Sequence, residues 1–170
     1  NARHGGVYAA INEHTPPNPY LQVPDREITT PGGVRLTMVN PAYMTRQLIG
    51  VVAERTDLGL HLTSLKPLNP NNEADAWEKV QLRKFEQGGG NVLEAVFEEG
   101  VERFRFMAPL KVEAPCLKCH RHQGYQLGDI RGGLSVSFSA PPLRAQESLQ
   151  LRRIGLMHLM TWALVTALIL

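Results

Sequence analysis

Two cysteines stand three residues apart, with a histidine directly after the second, in Cys116-Leu117-Lys118-Cys119-His120. No other cysteine occurs in the 170 residues. This C-x-x-C-H spacing lets two thiols reach the two vinyl groups on one edge of a porphyrin. The adjacent imidazole then swings beneath the ring to bind iron. The motif therefore assigns Cys116 and Cys119 as thioether anchors and His120 as the proximal iron ligand of one covalent c-type haem. A disulfide framework would need more cysteines at wider spacing, and a zinc site two further ligands at matching spacing. A redox dithiol belongs between a strand and a helix of a βαβ unit, which this sequence does not show.

The other axial position decides what such a haem does. A methionine or histidine there closes the iron for electron transfer, whereas a weak ligand leaves room for a diatomic gas. The candidates are Met38, Met44, Met107, His4, His14, His61 and His122. Met44 stands first, on the apolar face of a helix that opens at Asn40-Pro41, although methionine also serves as plain core filler. His122 lies too close to His120 to reach the opposite face of a ring. Arg46, Arg121 and Arg131 are candidates to pair with haem propionates, since guanidinium matches carboxylate in a bidentate way.

The rest of the chain must position these groups. Pro16, Pro17, Pro19 and Pro24 argue against a long helix in the first thirty residues. Gly5-Gly6-Val7-Tyr8 suits a short strand, and Leu36 to Val39 alternates as a half-buried strand after Pro31-Gly32-Gly33. Asn40 and Pro41 cap a helix with Met44, Leu48 and Val51 at helical spacing, ended by Asp57-Leu58-Gly59. A strand over 60–65, a loop over 66–72, a helix over 73–87 stopped by Gly88-Gly89-Gly90, and strands over 92–97 and 101–107 follow. The haem motif falls in a loop over 111–131. After it, Leu134, Val136 and Phe138 alternate with Ser135, Ser137 and Ser139. The expected class is α+β, with about five antiparallel strands flanked by helices.

A last helix begins at Pro141-Pro142, amphipathic to Arg153 and apolar from Ile154 to Leu170. This predicts three parts: a haem-binding domain over 1–140, a linker helix over 141–153, and the start of a transmembrane helix over 154–170. Both ends read as cuts in a longer chain. The charge balance of +2, with no basic stripe, excludes nucleic acid as a partner. No paired carboxylates, nucleophile triad or phosphate loop points to catalysis in this segment. Haem attachment takes place outside the bacterial cytoplasm, so the domain is expected in the periplasm, anchored in the inner membrane.

Several stretches together resemble a known family. They are Gly5-Gly6-Val7-Tyr8, Pro17-Asn18-Pro19-Tyr20, Asn40-Pro41-Ala42-Tyr43-Met44-Thr45-Arg46-Gln47, Thr63-Ser64-Leu65, Asn69-Pro70-Asn71 with Trp77-Glu78, and Met107-Ala108-Pro109-Leu110. The haem motif continues the series through Gln123-Gly124-Tyr125 to Gly128-Asp129-Ile130-Arg131-Gly132-Gly133. The family is a c-type-haem sensor domain, once catalogued only as a domain of unknown function, that stands ahead of histidine kinases, diguanylate cyclases and chemoreceptors in bacterial membrane proteins. The resemblance implies a PAS-like sheet around the haem, with transmembrane helices before and after. It adds Tyr43 to the cofactor-binding candidates. Some soluble members of the wider family use a cysteine as the distal ligand on the equivalent first helix, where this chain has Met44. The reading is therefore a periplasmic haem sensor of redox state or a diatomic gas. The alternative is a membrane-tethered c-type cytochrome for electron transfer. Lipid at the C-terminal helix, a redox partner, and a homodimer or membrane complex are the partners considered.

Overall fold

The computed structural model describes residues 5–169, the side chains of 142–143 and 168–169 excepted. Among the described residues, seven strands and four α-helices form a mixed α+β fold with two antiparallel sheets rather than one. The smaller sheet pairs β1 (Val7–Ala10), β3 (Arg35–Val39) and β2 (Glu27–Thr29) in the order β1-β3-β2. The short β2 lies in the proline-rich stretch expected to be irregular. Three residues bounded by turns give no alternation to read.

The larger sheet has the order β4-β7-β6-β5, from β4 (Gly59–Thr63), β5 (Val92–Glu98), β6 (Val101–Lys111) and β7 (Ile130–Ser139). Strands β5 and β6 are joined at Glu99-Gly100. Both residues have positive φ, 51° and 79°, the geometry that matches the right-handed twist of a tight hairpin. Strand β6 runs four residues further than its sequence pattern suggests, because pairing with β7 continues to Lys111 across a register shift.

Helix α1 (Pro41–Ala53) opens as its sequence predicts: the Asn40 side chain accepts from the backbone N–H of Tyr43 and Pro41 takes the first position. It ends at Ala53, before the expected stop. Helix α2 (Ala76–Glu86) starts three residues later than its pattern suggests. Asp75 and Glu78 form a reciprocal capping box that sets the boundary.

Helix α2 covers one face of the larger sheet. Leu82, Phe85, Ala74 and Met107 form the buried cluster there, with Trp77, Val92 and Ile130 against it. On β7 the buried side chain of this face is Ser135, 3 % exposed, while Leu134, Val136 and Phe138 turn to the other face and stay half-buried. The serine face thus packs against α2, where bulky residues would not fit beneath Glu78 and Gln81, both almost fully buried.

The last helix, α4 (Pro141–Ile169), follows β7 without a loop. Arg144 ties its first turn to β6 through Glu102 at 2.9 Å. From Ala145 to Ala167 its side chains are exposed, including Leu149, Ile154, Met160 and Trp162. Among the described residues no helix is long and apolar enough to cross a membrane, so the transmembrane start expected over 154–170 is not supported here. Leu170 lies outside the described residues.

Candidate functional site

The Cys-x-x-Cys-His run sits in the connection from β6 to β7. Its two ends are fastened together: Val112 N–H donates to Asp129 O at 2.8 Å, and Gly128 N–H to Val112 O at 2.9 Å. Within that closed loop lie a 3-10 turn (Ala114–Cys116), the one-turn helix α3 (Leu117–His120) and a second 3-10 turn (Arg121–Gln123). Gly124, at φ 84°, ends the coil in a left-handed conformation that glycine adopts without a Cβ penalty. Helical spacing places Cys116 and Cys119, three apart, on one side of the coil. Both thiols are free and half-buried. Burial pushes the Cys119 thiol above its ordinary pKa. Lys118 anchors the loop outward through Asp25 at 2.9 Å.

The His120 ring is fixed from both sides. Its Nδ1 lies 2.6 Å from Oε1 of Gln123, whose Nε2 donates to Lys66 O at 3.1 Å. Its Nε2 lies 3.4 Å from Nη1 of Arg131. An amide oxygen can only accept, so Nδ1 carries the proton and Nε2 presents its lone pair. Burial lowers the pKa of His120, and Arg131 and His122 add to that shift, so the neutral ring is favoured.

Two adjoining hollows meet at this ring. Cys119, His120, Arg131, Asn40, Ala42 and Leu110 line both. The first extends over the segment leaving β4 and over residues 18–22. The second reaches Cys116, Pro115 and Gly5. The first has Arg46, Lys66 and Arg131 in its wall and no aspartate or glutamate. Two buried polar atoms in that wall have no hydrogen-bond partner: Oγ1 of Thr63, a residue only 2 % exposed, and Nε of Arg131. Buried polar groups are rarely left so. Two cysteines on one side of a coil, a neutral imidazole whose Nε2 meets only the Arg131 guanidinium, and the orphaned Arg131 Nε and Thr63 Oγ1 nearby make a donor set that fits a haem.

Of the sequence candidates, Cys116, Cys119, His120, Arg131 and Arg46 come together around the hollows. Met44 does not. Ala42 and Arg46, four apart, share the helix face that lines the cavity, and Met44 between them turns away and is 46 % exposed. Tyr43 also leaves the wall, its hydroxyl donating to Pro16 O at 2.7 Å. Met38 and Met107 are core residues, 3 % and 0 % exposed. His61 is held by Glu78 and Asn71, and His14 sits on the surface beside Glu13. His122 lines the first hollow, close to His120. His4 lies outside the described residues. Gln123 and Thr63 were not legible as site residues. A lone glutamine after the histidine and a threonine at a strand end carry no spacing signal.

The fold and site define a mixed α+β domain whose two sheets frame a loop-borne pair of thiols and an imidazole. The chain belongs to the Tll0287-like family, whose model matches residues 7–139. A solved structure, the crystal structure of the cyanobacterial heme-protein Tll0287, is similar at 19 % identity and a TM-score of 0.47, over 55 % of this chain and 68 % of that one. No curated protein matches.

Proposed function

We propose that this domain holds one c-type haem and serves as the periplasmic sensing element of a membrane-anchored signalling protein. The observation that carries the reading is the seating of the Cys116–His120 coil, whose two cysteines and histidine border one hollow, with the His120 ring held by Gln123 at Nδ1 and by Arg131 at Nε2. Membership of the Tll0287-like family, one relative of which is described as a heme-protein, supports it.

In this reading Cys116 and Cys119 form the two thioether bonds and His120 is the proximal ligand. Arg131, Arg46 and Lys66 face the propionates in a wall free of carboxylates, where the orphaned Nε of Arg131 gains a partner. When bound, the haem would supply an iron centre that changes charge on reduction and can take up a neutral diatomic ligand. The chain's own part is to convert that change into movement. Arg131 and the two glycines after it form the start of β7, and β7 runs without interruption into α4. Because the side chains of α4 from Ala145 to Ala167 are exposed, a shift of β7 is free to reorient it. The exposed apolar side chains past Arg153 supply the lipid contact in this proposal.

The test is expression with the c-type maturation system. The denatured protein should keep its haem, give a pyridine haemochrome spectrum of the thioether type, and lose it in C116S/C119S. Distances between spin labels on α4 and on β5, measured oxidised, reduced and with carbon monoxide, should change with the state of the iron. Absence of covalent haem refutes the cofactor assignment. Full haem with unchanged distances in every state refutes the sensor and leaves electron transfer.

A further inference from the structure

We propose that Gln123 is a positioning residue for the iron ligand: its side-chain amide selects the Nδ1–H tautomer of His120 and ties the ring to the segment that leaves β4. The inference rests on the haem reading above for its electronic consequence, and on geometry alone for its tautomeric one.

The Gln123 amide is bound at both ends. Oε1 accepts from Nδ1 of His120 at 2.6 Å and Nε2 donates to Lys66 O at 3.1 Å. The second bond decides the first. A carbonyl only accepts, so the NH2 end must face Lys66 and the oxygen must face the imidazole. A flipped amide would set two acceptors against each other at Lys66, and the other imidazole tautomer would turn an N–H toward the Arg131 guanidinium. The amide therefore keeps the proton on Nδ1 and leaves Nε2 unprotonated, facing Nη1 of Arg131 at 3.4 Å. The Tyr125 ring stands edge-on to the imidazole at 6.3 Å and limits its rotation from another side.

A partner on the outer nitrogen also tunes the inner one. A carboxylate there draws the proton strongly and makes the ring more basic, whereas an amide oxygen does so weakly. Gln123 thus keeps the ligand near neutral imidazole, and the same amide passes any change in the polarity of Nδ1–H to Lys66.

The test compares haem-loaded wild type with Q123E and Q123L, each checked for full haem content and unchanged far-UV circular dichroism. Q123E is near-isosteric and should fold. It should lower the midpoint potential and raise the iron–imidazole stretching frequency, and Q123L should shift both the opposite way. A merely structural role would move neither in Q123E. In the haem-free chain, nitrogen chemical shifts of His120 should report the Nδ1–H tautomer in wild type and a tautomer mixture in Q123L. Haem-loaded variants with unchanged potential and stretching frequency overturn the proposal, as does a tautomer mixture in wild type. A pure Nδ1–H tautomer in a chain that never acquires haem upholds the positioning role and refutes the cofactor assignment instead.

Discussion

Nη1 of Arg131 lies 3.4 Å from Nε2 of His120, so a fixed cation stands beside the one ring nitrogen that Gln123 leaves unprotonated. Protonating that nitrogen would set two positive groups against each other in a half-buried place. Burial is the larger reason that His120 titrates below its usual value, and Arg131 adds to it. In the haem-free chain, R131A should raise the His120 pKa part of the way back, read from ring proton shifts against pH. An unchanged value would show that Arg131 takes no part in the shift.

Met44 is the residue that pattern reading favours as the sixth ligand, and its position makes a clear prediction. It lies off the helix face that lines the cavity. M44L should leave the oxidised and reduced absorption spectra of the haem-loaded chain unchanged and cost less than about 1 kcal/mol of stability, as volume-conserving apolar swaps do. Loss of a low-spin spectrum in M44L would mean that the helix rotates when haem is present.

His61 and Glu78 should give the fold a pH window. Both ring nitrogens of His61 face acceptors, Glu78 at 2.9 Å and Asn71 O at 3.0 Å, so only the imidazolium satisfies both. Its hydrogen bond to Glu78 raises the His61 pKa above 6.5. Burial pushes Glu78 up, but the bonds from His61 and the Asp75 backbone outweigh it and leave the pKa below 4.5. Arg105 on β6, 3.3 Å from Glu78, and Ser135 on β7 complete the surroundings, with Asp75 on the same Nη2 of Arg105 as Glu78 and Glu98 on its Nη1. The His61 contribution is whole below pH 6.5 and is lost as pH rises through its higher folded value. The Glu78 contribution is present above pH 4.5 and is lost as pH falls through its lower folded value. Thermal midpoints should therefore be highest between about pH 4.5 and 6.5. E78Q should lower stability by about 3 kcal/mol and flatten that profile, because it leaves Arg105 short of a buried partner. A wild-type profile that keeps rising above pH 8 would refute the assignment of His61 as imidazolium.

Gly132 allows the backbone of β7 to pass against β4. A Cβ there would collide with the carbonyl of Thr63, which is backbone and cannot swing aside. G132A should cost about 1–3 kcal/mol, the range of overpacking, in chemical denaturation. It should also disturb the site, since Thr63 lines the hollow. An alanine variant of wild-type stability would show that the two strands separate readily at this end.

The cysteine pair and its histidine were legible because their chemistry depends on spacing along one short coil, which local sequence carries by itself. The α1 cap was legible for the same reason: Asn40 and Pro41 act on backbone groups within three residues. Strand β2 and the division into two sheets were not, because three residues have no period and pairing partners lie far away in the chain. The start of α2 has a local cause, the Asp75–Glu78 capping box, which lies inside the polar stretch after Asn72 and carries no apolar period.

By itself, then, the amino-acid sequence determined the α+β class, the Cys116–His120 motif and the helix that follows β7. All of these rest on interactions between near neighbours. Only the tertiary structure decided which groups meet that motif. Gln123 reaches it because two 3-10 turns and α3 coil the loop back on itself, Arg131 because β7 begins beside the coil, and Thr63 because β4 pairs with β7 at Gly133. Met44 misses it by two positions on a helix whose rotation is set by packing against β4, and packing against a distant strand leaves no mark in local spacing.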